Sequence, residues 1–301
     1  MTEFGQYVMI GLVSGLLYAL IALGYTMVYG IIELINFAHG DLFMLGCFLS
    51  LQVTEEVLKR DGGGGLAIPL MLLAAPLFCA ALNMAVDRVI YKPLRGASKL
   101  APLVSAIGVS FVFMNAGLFW RGPTDVNFPN LLGGETNLLE GTGLRFTPKD
   151  LMVVLVTLPV MVALTVFVRY TSLGKAMRAT AQNPVAAQLM GINVDRVIAV
   201  TFGIGGALAG VASVVYGQYI GTVNYQMGFT NGLYAFTAAV VGGIGNIPGA
   251  VLGGIMIGLV RSLGGAYLGA EWSEALIFGI LIVILIFRPN GLLGARTREK
   301  V

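Results

Sequence analysis

RYTSLGKAMRATAQNPVAAQLMGINVDR, residues 169–196, decides how the rest of the chain is read. Almost pure hydrocarbon flanks it on both sides. Within it stand four cations, Arg169, Lys175, Arg178 and Arg196, among amides, small alanines and a proline. It is too polar to enter a bilayer and too well patterned for a slack linker. Ser172 to Ala181 reads as a helix with Lys175 and Arg178 on one side. Asn183-Pro184 breaks that helix, and Pro184 suits the first position of a second one. The second helix, Val185 to Met190, stops at Gly191, a favourable residue beyond a helix C-cap. Two readings follow. The segment lies on lipid headgroups, held by its cations, or it docks a cytosolic partner, to which Ala186 and Ala187 offer little side-chain bulk.

Working outward, the composition settles the class. The 301 residues are 57% hydrophobic and 11% charged, with a mean hydropathy of +0.86. Soluble domains carry about 25% charged residues, so a soluble fold of this chain could not cover its surface. The reading is an all-α, polytopic transmembrane helical bundle, with residues 1–301 as one membrane-spanning domain and no soluble domain. Apolar runs of span length recur at 6–29, 67–90, 101–119, 151–168, 197–220, 249–268 and 273–287. Residues 42–53 add a short or broken span. Residues 228–246 end in Gly242-Gly243-Ile244-Gly245-Asn246-Ile247-Pro248-Gly249, whose glycines favour a broken or re-entrant segment. The count is nine if that segment crosses and eight if it re-enters. The N-terminus lacks a cationic n-region, so 6–29 reads as a retained span rather than a signal peptide. Gly11-x-x-x-Gly15 on that span is a small-residue pattern for close helix contact.

Orientation follows the cations. Arg88, Lys92, Arg95 and Lys99 mark one cytoplasmic loop, the 169–196 hairpin a second, and Arg288, Arg296, Arg298 and Lys300 the C-terminal tail. The loops at 54–66, which ends in Gly62–Gly65, and at 121–150 and 268–273 have no cationic excess. The N-terminus is therefore expected outside and the C-terminus in the cytoplasm.

The residues exclude several chemistries. A P-loop needs GxxxxGK[ST], whereas Gly174-Lys175 is followed by Ala176 and has Arg169 where the first glycine belongs. The chain is not expected to hydrolyse ATP. No GxSxG elbow accompanies His39 and Asp41, so a hydrolase is not expected. Cys47 and Cys79 sit in apolar runs, and no metal or cofactor spacing exists. Asn36, His39 and Asp41 form a polar row at an expected membrane boundary. They either line or gate a path, or they serve as helix caps, with His39 on a backbone carbonyl. Arg261 lies deep in an apolar run. It is read as a paired structural residue that snorkels toward Glu271 or Glu274, with a subunit interface or an aqueous path as the alternatives.

Ala186-Ala187-x-x-x-Gly191 resembles the coupling motif of ABC importer permeases, with Val185 where that motif has Glu. Four stretches in order resemble the permease of branched-chain amino-acid ABC importers, and within it the shorter, LivH-type subunit. They are Tyr18–Tyr25 running to Asn36-Phe-Ala-His-Gly-Asp41, the hairpin with Gln182-Asn183-Pro184, Gly242–Gly249, and Phe287-Arg-Pro-Asn-Gly-Leu-Leu-Gly294. The resemblance implies an ATP-driven, alternating-access importer in the bacterial inner membrane that carries branched-chain or related amino acids. It implies as partners a second, LivM-type permease, two cytosolic ATPases and an extracytoplasmic solute-binding protein, and no nucleic acid. It places ATPase coupling on Lys175, Arg178, Pro184, Ala186, Ala187 and Gly191. A path or gate falls on Asn36, His39, Asp41, Gly243, Gly245 and Asn246. A urea or short-amide importer is the nearest alternative. A secondary transporter or channel without an ATPase is a more distant one, since it has no need of a docking helix.

Overall fold

A computed structural model describes residues 2–61, 65–98, 100–133, 136–141 and 143–294. Gly62–Gly64, Lys99 and the tail cations Arg296, Arg298 and Lys300 lie outside the described residues. The helices are α1 Thr2–Ile32, α2 Ala38–Asp61, α3 Ala67–Val86, a π-helical turn Asp87–Tyr91, α4 Lys92–Leu94 and α5 Leu100–Arg121. They continue as α6 Pro148–Tyr170, α7 Ser172–Gln182, α8 Pro184–Leu189, α9 Val194–Ile220, α10 Met227–Gly242, α11 Ile247–Tyr267 and α12 Ala270–Phe287. Two short strands, β1 Val126–Asn127 and β2 Thr222–Val223, pair antiparallel.

Among the described residues, seven helices are long and apolar enough to cross a membrane: α1, α3 through α4, α5, α6, α9, α11 and α12. The sequence reading of eight exceeds this by α2, and that of nine by α2 and α10. The former runs eight residues past its expected end at 53, because Glu55, Glu56, Lys59 and Arg60 extend it as a polar helix, with Arg60 and Glu56 paired at 3.1 Å. The latter has 16 residues, about 24 Å at the usual helical rise.

The bundle is built around α1 and α9, which have 61% and 72% of their most apolar windows buried, whereas α12 has 11%. Helices in lipid are drawn together by close packing rather than by hydrophobic contrast. The α1–α11 contact shows how: Gly11 and Gly15 face Gly254 and Gly258. A methyl group added at Gly15 would come within 2.7 Å of the Ile255 Cα, and one at Gly258 within 2.4 Å of the Gly15 Cα. The Gly11-x-x-x-Gly15 pattern thus has a partner pattern, which its own spacing could not reveal.

Opposite ends of the bundle are chemically distinct. At one end, Arg121 at the end of α5 pairs with Glu55 at 3.0 Å, and β1 pairs with β2. At the other end lie the turn after α1, the loop around Arg95, the 171–193 hairpin and the 243–248 turn. An ion pair from Lys92 to Asp195 at 2.8 Å joins the Arg95 loop to the start of α9. The described cation-rich segments are therefore gathered at a single end.

Candidate functional site

The hairpin at that end is held by consecutive caps. Thr171 closes α6 and opens α7: its N–H donates to the Phe167 carbonyl at 3.2 Å, and its Oγ1 accepts from the Gly174 N–H at 3.0 Å. Arg178 turns back and donates to the Val168 carbonyl and to the Arg169 carbonyl at 3.2 Å. These are end carbonyls that α6 leaves without helical donors. Asn183 caps α8, its Oδ1 accepting from the Ala186 N–H at 3.0 Å, and Pro184 follows as the first helical residue. Beyond α8 the Ile192 N–H donates to the Ala187 carbonyl at 3.0 Å and the Gly191 N–H to the Gln188 carbonyl at 2.9 Å. That pair of bonds is a Schellman closure, and it needs the left-handed φ of +83° that Gly191 adopts. Asn193 then caps α9 by accepting from the Arg196 N–H at 3.0 Å.

The predicted hairpin is present, but its outward face differs from the one expected. Ala187 is only 4% exposed and packs into its own chain. Ala186 and Lys175 are exposed. The most prominent groups are apolar ones: Val185, Leu189 and Met190 are 65%, 84% and 83% exposed. Sequence reasoning passed over them. The available signal was an apolar triplet inside a polar segment, on a helix too short to bury it.

Beside the hairpin opens a cleft of about 1040 Å³, bordered by Glu33, Arg169, Arg178, Asn246, Pro248 and Asn290. Its far wall is where two of the sequence motifs meet. The chain reverses between α10 and α11 at Gly243 and Gly245, with φ of +108° and +89°. The loop after α12 returns to this turn. Leu292 and Leu293 N–H groups donate to the Val241 and Gly242 carbonyls at 2.9 and 3.0 Å. Asn246 caps α11 by accepting from the Gly249 N–H at 3.3 Å and donates to the Leu293 carbonyl at 2.7 Å. Gly291 lies so close to Gly243 that a methyl group there would reach the Gly243 Cα at 2.5 Å. Of the three glycine-turn residues singled out, Gly245 and Asn246 border the cleft, whereas Gly243 is locked against Gly291.

Asn36, His39 and Asp41 are placed away from the cleft, buried where α2 begins. Nor are their side chains caps. Asn36 donates to Asn83 Oδ1 at 3.2 Å and accepts from the Tyr91 hydroxyl at 3.0 Å. Asp41 accepts from the Ser110 hydroxyl on α5. His39 lodges against Gly24, edge-on to Tyr25 at 4.7 Å, with no well-formed hydrogen bond to its ring nitrogens. Its backbone neighbour is Ile21, whose carbonyl takes the part expected of it, though short of full hydrogen-bond geometry.

Arg261 also departs from expectation. It is residue 15 of the 21 in α11, and helical side chains lean toward the helix N-terminus. That direction leads away from the near end of α11 and toward the bundle middle. Its guanidinium donates to the Tyr18 hydroxyl and lies 4.9 Å from the Tyr234 ring centre. Glu274 is met only indirectly, through the Tyr234 hydroxyl, which donates to it at 2.8 Å. Snorkelling outward is therefore replaced by a cation–π contact. Cys47 and Cys79 are buried, free thiols.

A bundle of apolar helices with a capped polar hairpin at one end and a cleft beside it has the architecture of a multi-pass membrane protein. The family described as "Branched-chain amino acid transport system / permease component" matches residues 7–285. The chain is 42% identical to the high-affinity branched-chain amino acid transport system permease protein LivH of Escherichia coli (strain K12), over 99% of this chain and 98% of the relative. It is likewise 42% identical to the permease protein BraD of Pseudomonas aeruginosa, over 98% and 97%. The E. coli permease protein LivM is 26% identical over 92% of this chain and 68% of its own. No solved structure matches. The chain belongs to the permease component family of branched-chain amino acid transport systems. Its likeness to both LivH and LivM points to a pair of related permeases.

Proposed function

We propose that this permease moves leucine, isoleucine, valine or a close relative across a bacterial inner membrane, as the LivH-type subunit of an ATP-driven importer. Its partners in this reading are a LivM-type permease, two cytosolic ATPases and an extracytoplasmic solute-binding protein. The N-terminus faces outside, because the described cation-rich segments share the end that the charge rule assigns to the cytoplasm. Nine crossings satisfy both termini, with α2 and α10 included. At about 24 Å, α10 is short for a hydrocarbon core of about 30 Å, and the 243–248 turn completes that pass as irregular backbone packed within protein. Residues 169–196 are the coupling hairpin. The cleft at Gly245 and Asn246 is the cytoplasmic mouth of the path, and Asn36, His39 and Asp41 fix the helices that tilt around it.

The observation that carries this reading is α8. It has six residues, is capped at both ends, and presents Val185, Leu189 and Met190 outward at the cation-rich end. An isolated helix of that length is not stable in water, so its caps keep a small apolar knob formed before any partner arrives. Lys175 and Arg178 stand on the preceding helix α7, and Arg178 ties α7 to α6, so a push on α8 is passed through α7 to a membrane helix. ATP-driven closure of the ATPases then becomes tilting of the spans.

Replacing Leu189 and Met190 by Glu tests the docking. The complex is expected to assemble its membrane part, hydrolyse ATP without stimulation by the loaded binding protein, and lose uptake about a hundredfold, the scale of losing two buried apolar anchors. Uptake at the unaltered rate would assign the ATPase contact to another surface.

A further inference from the structure

Arg261 and Glu274 are two charges that the transport scheme has not used. Both are exposed, and they form no ion pair with one another. The phenol of Tyr234 stands between them, with the guanidinium at its ring and the carboxylate on its hydroxyl. Tyr18 takes one guanidinium N–H. A guanidinium has five N–H donors and a carboxylate two oxygens, so most of the donors and one carboxylate oxygen are left for a ligand. Charge of this kind inside a membrane helix is costly unless it meets a partner or water.

Position adds to the chemistry. Tyr18 is residue 17 of the 31 in α1 and Tyr234 residue 8 of the 16 in α10. The cluster therefore begins at the bundle middle and rises toward the end opposite the hairpin, since Glu274 is the fifth residue of α12. On the orientation proposed above, that is the half reached first from outside. The face is open as well, because α12 is the least covered of the candidate spans. A cation and an anion, fixed apart by one rigid ring, match a ligand that carries both charges on one carbon.

We propose that Arg261 and Glu274 receive the α-carboxylate and the α-ammonium of the amino acid in transit, with Tyr234 setting their separation and Tyr18 aiming the guanidinium. The proposal rests on the amino-acid transport reading. It makes this cluster the place where the permease recognises the amino-acid backbone, leaving the apolar side chain unread. Arg261 meets the carboxylate through paired N–H groups, and Glu274 completes the hydrogen bonding of the ammonium.

The test uses the complete transporter in proteoliposomes, with its binding protein loaded with radiolabelled leucine. Three quantities are read: uptake, ATP hydrolysis stimulated by the loaded binding protein, and recovery of the second permease in the purified complex. Arg261→Met and Glu274→Gln are each expected to lower uptake about tenfold or more, the scale of one lost charge-assisted hydrogen bond. Stimulated ATP hydrolysis and subunit recovery stay at the unaltered level. Arg261→Lys keeps an intermediate rate, because the charge remains without the paired geometry. Tyr234→Phe, which keeps the ring and removes only the hydroxyl, lowers uptake less than Glu274→Gln and guards against a folding artefact. Unchanged uptake in Arg261→Met and Glu274→Gln overturns the proposal. So does a parallel fall of ATP hydrolysis and uptake, or loss of the second permease, either of which assigns the charges to coupling or to subunit contact. If the unaltered complex takes up no leucine, isoleucine or valine, the transport reading itself falls and takes this site with it.

Discussion

Two of the polar clusters in this apolar bundle are built on opposite plans. In the first, Asn36, Asn83 and Tyr91 are buried. Asn36 exchanges bonds with Asn83 and Tyr91, and the Asn83 amide donates onward to the Phe202 carbonyl of α9 at 2.6 Å. The result knits the start of α2 to α3, the π-helical turn and α9. In the second, Arg261 and Glu274 are exposed and only partly bonded, joined through tyrosines rather than to each other. Burial with mutual bonding gives a scaffold, because an unpaired group there would bear its whole desolvation cost. Openness with spare donors and acceptors suits a group that must release its partner in every transport cycle. Degree of satisfaction, rather than polarity, separates the two.

The strongest test asks whether a full charge can belong to the scaffold class. Arg95 pairs with Asp87 at 2.7 Å, with the Asp87 side chain 2% exposed, and also bonds Asp195 on α9. Arg95→Ala strands the Asp87 carboxylate. The expected loss of stability is about 3 kcal/mol, read by thermal or denaturant unfolding in detergent, with uptake per surviving transporter unchanged. A fall in uptake without a fall in stability would move this pair into the functional class and blur the contrast. Asn83→Ala comes next, at about 2 kcal/mol for the stranded Asn36 amide and the lost bond to the Phe202 carbonyl. It should again leave uptake per assembled transporter intact, the reverse of what Arg261→Met should do.

How much of this contrast could be read before the structure differs between the clusters. Apolar run length announced most of the helices, and the hairpin's caps were legible because Asn183-Pro184 and Gly191 act through local backbone geometry. The Gly242–Gly249 break was legible for the same reason, although its contact with Gly291 and Leu293 was not. Asn36 stood out as polar, but its partners Asn83 and Tyr91 lie 47 and 55 residues away, and spacing gives no account of such pairings. Arg261 was conspicuous, yet its direction depended on α11 running antiparallel to α1, which only the packed glycines establish. Ala187 was misjudged as a docking surface because an alanine on a six-residue helix fits an inner or an outer face equally well. Val185, Leu189 and Met190 give little signal in the sequence, because a six-residue helix is too short for an apolar face to show as a period.

The smallest effect concerns a case between the two plans. Asn183 is satisfied, since its Oδ1 accepts from Ala186, and yet it is exposed. If satisfaction alone defines a scaffold residue, Asn183→Ala should cost about 1 kcal/mol, the usual worth of an N-cap, and nothing in transport. Here the energy falls on a helix that has little else to hold it, so α8 should fray while the membrane bundle stays folded. Amide exchange at Ala186 should then quicken with little change in the global unfolding midpoint, and uptake per ATP hydrolysed should decline. Asn183→Asp, which keeps the capping oxygen, should restore both. Should Asn183→Ala instead lower the global midpoint and leave uptake per ATP untouched, α8 belongs to the scaffold, and the knob it presents is not what the ATPase grips.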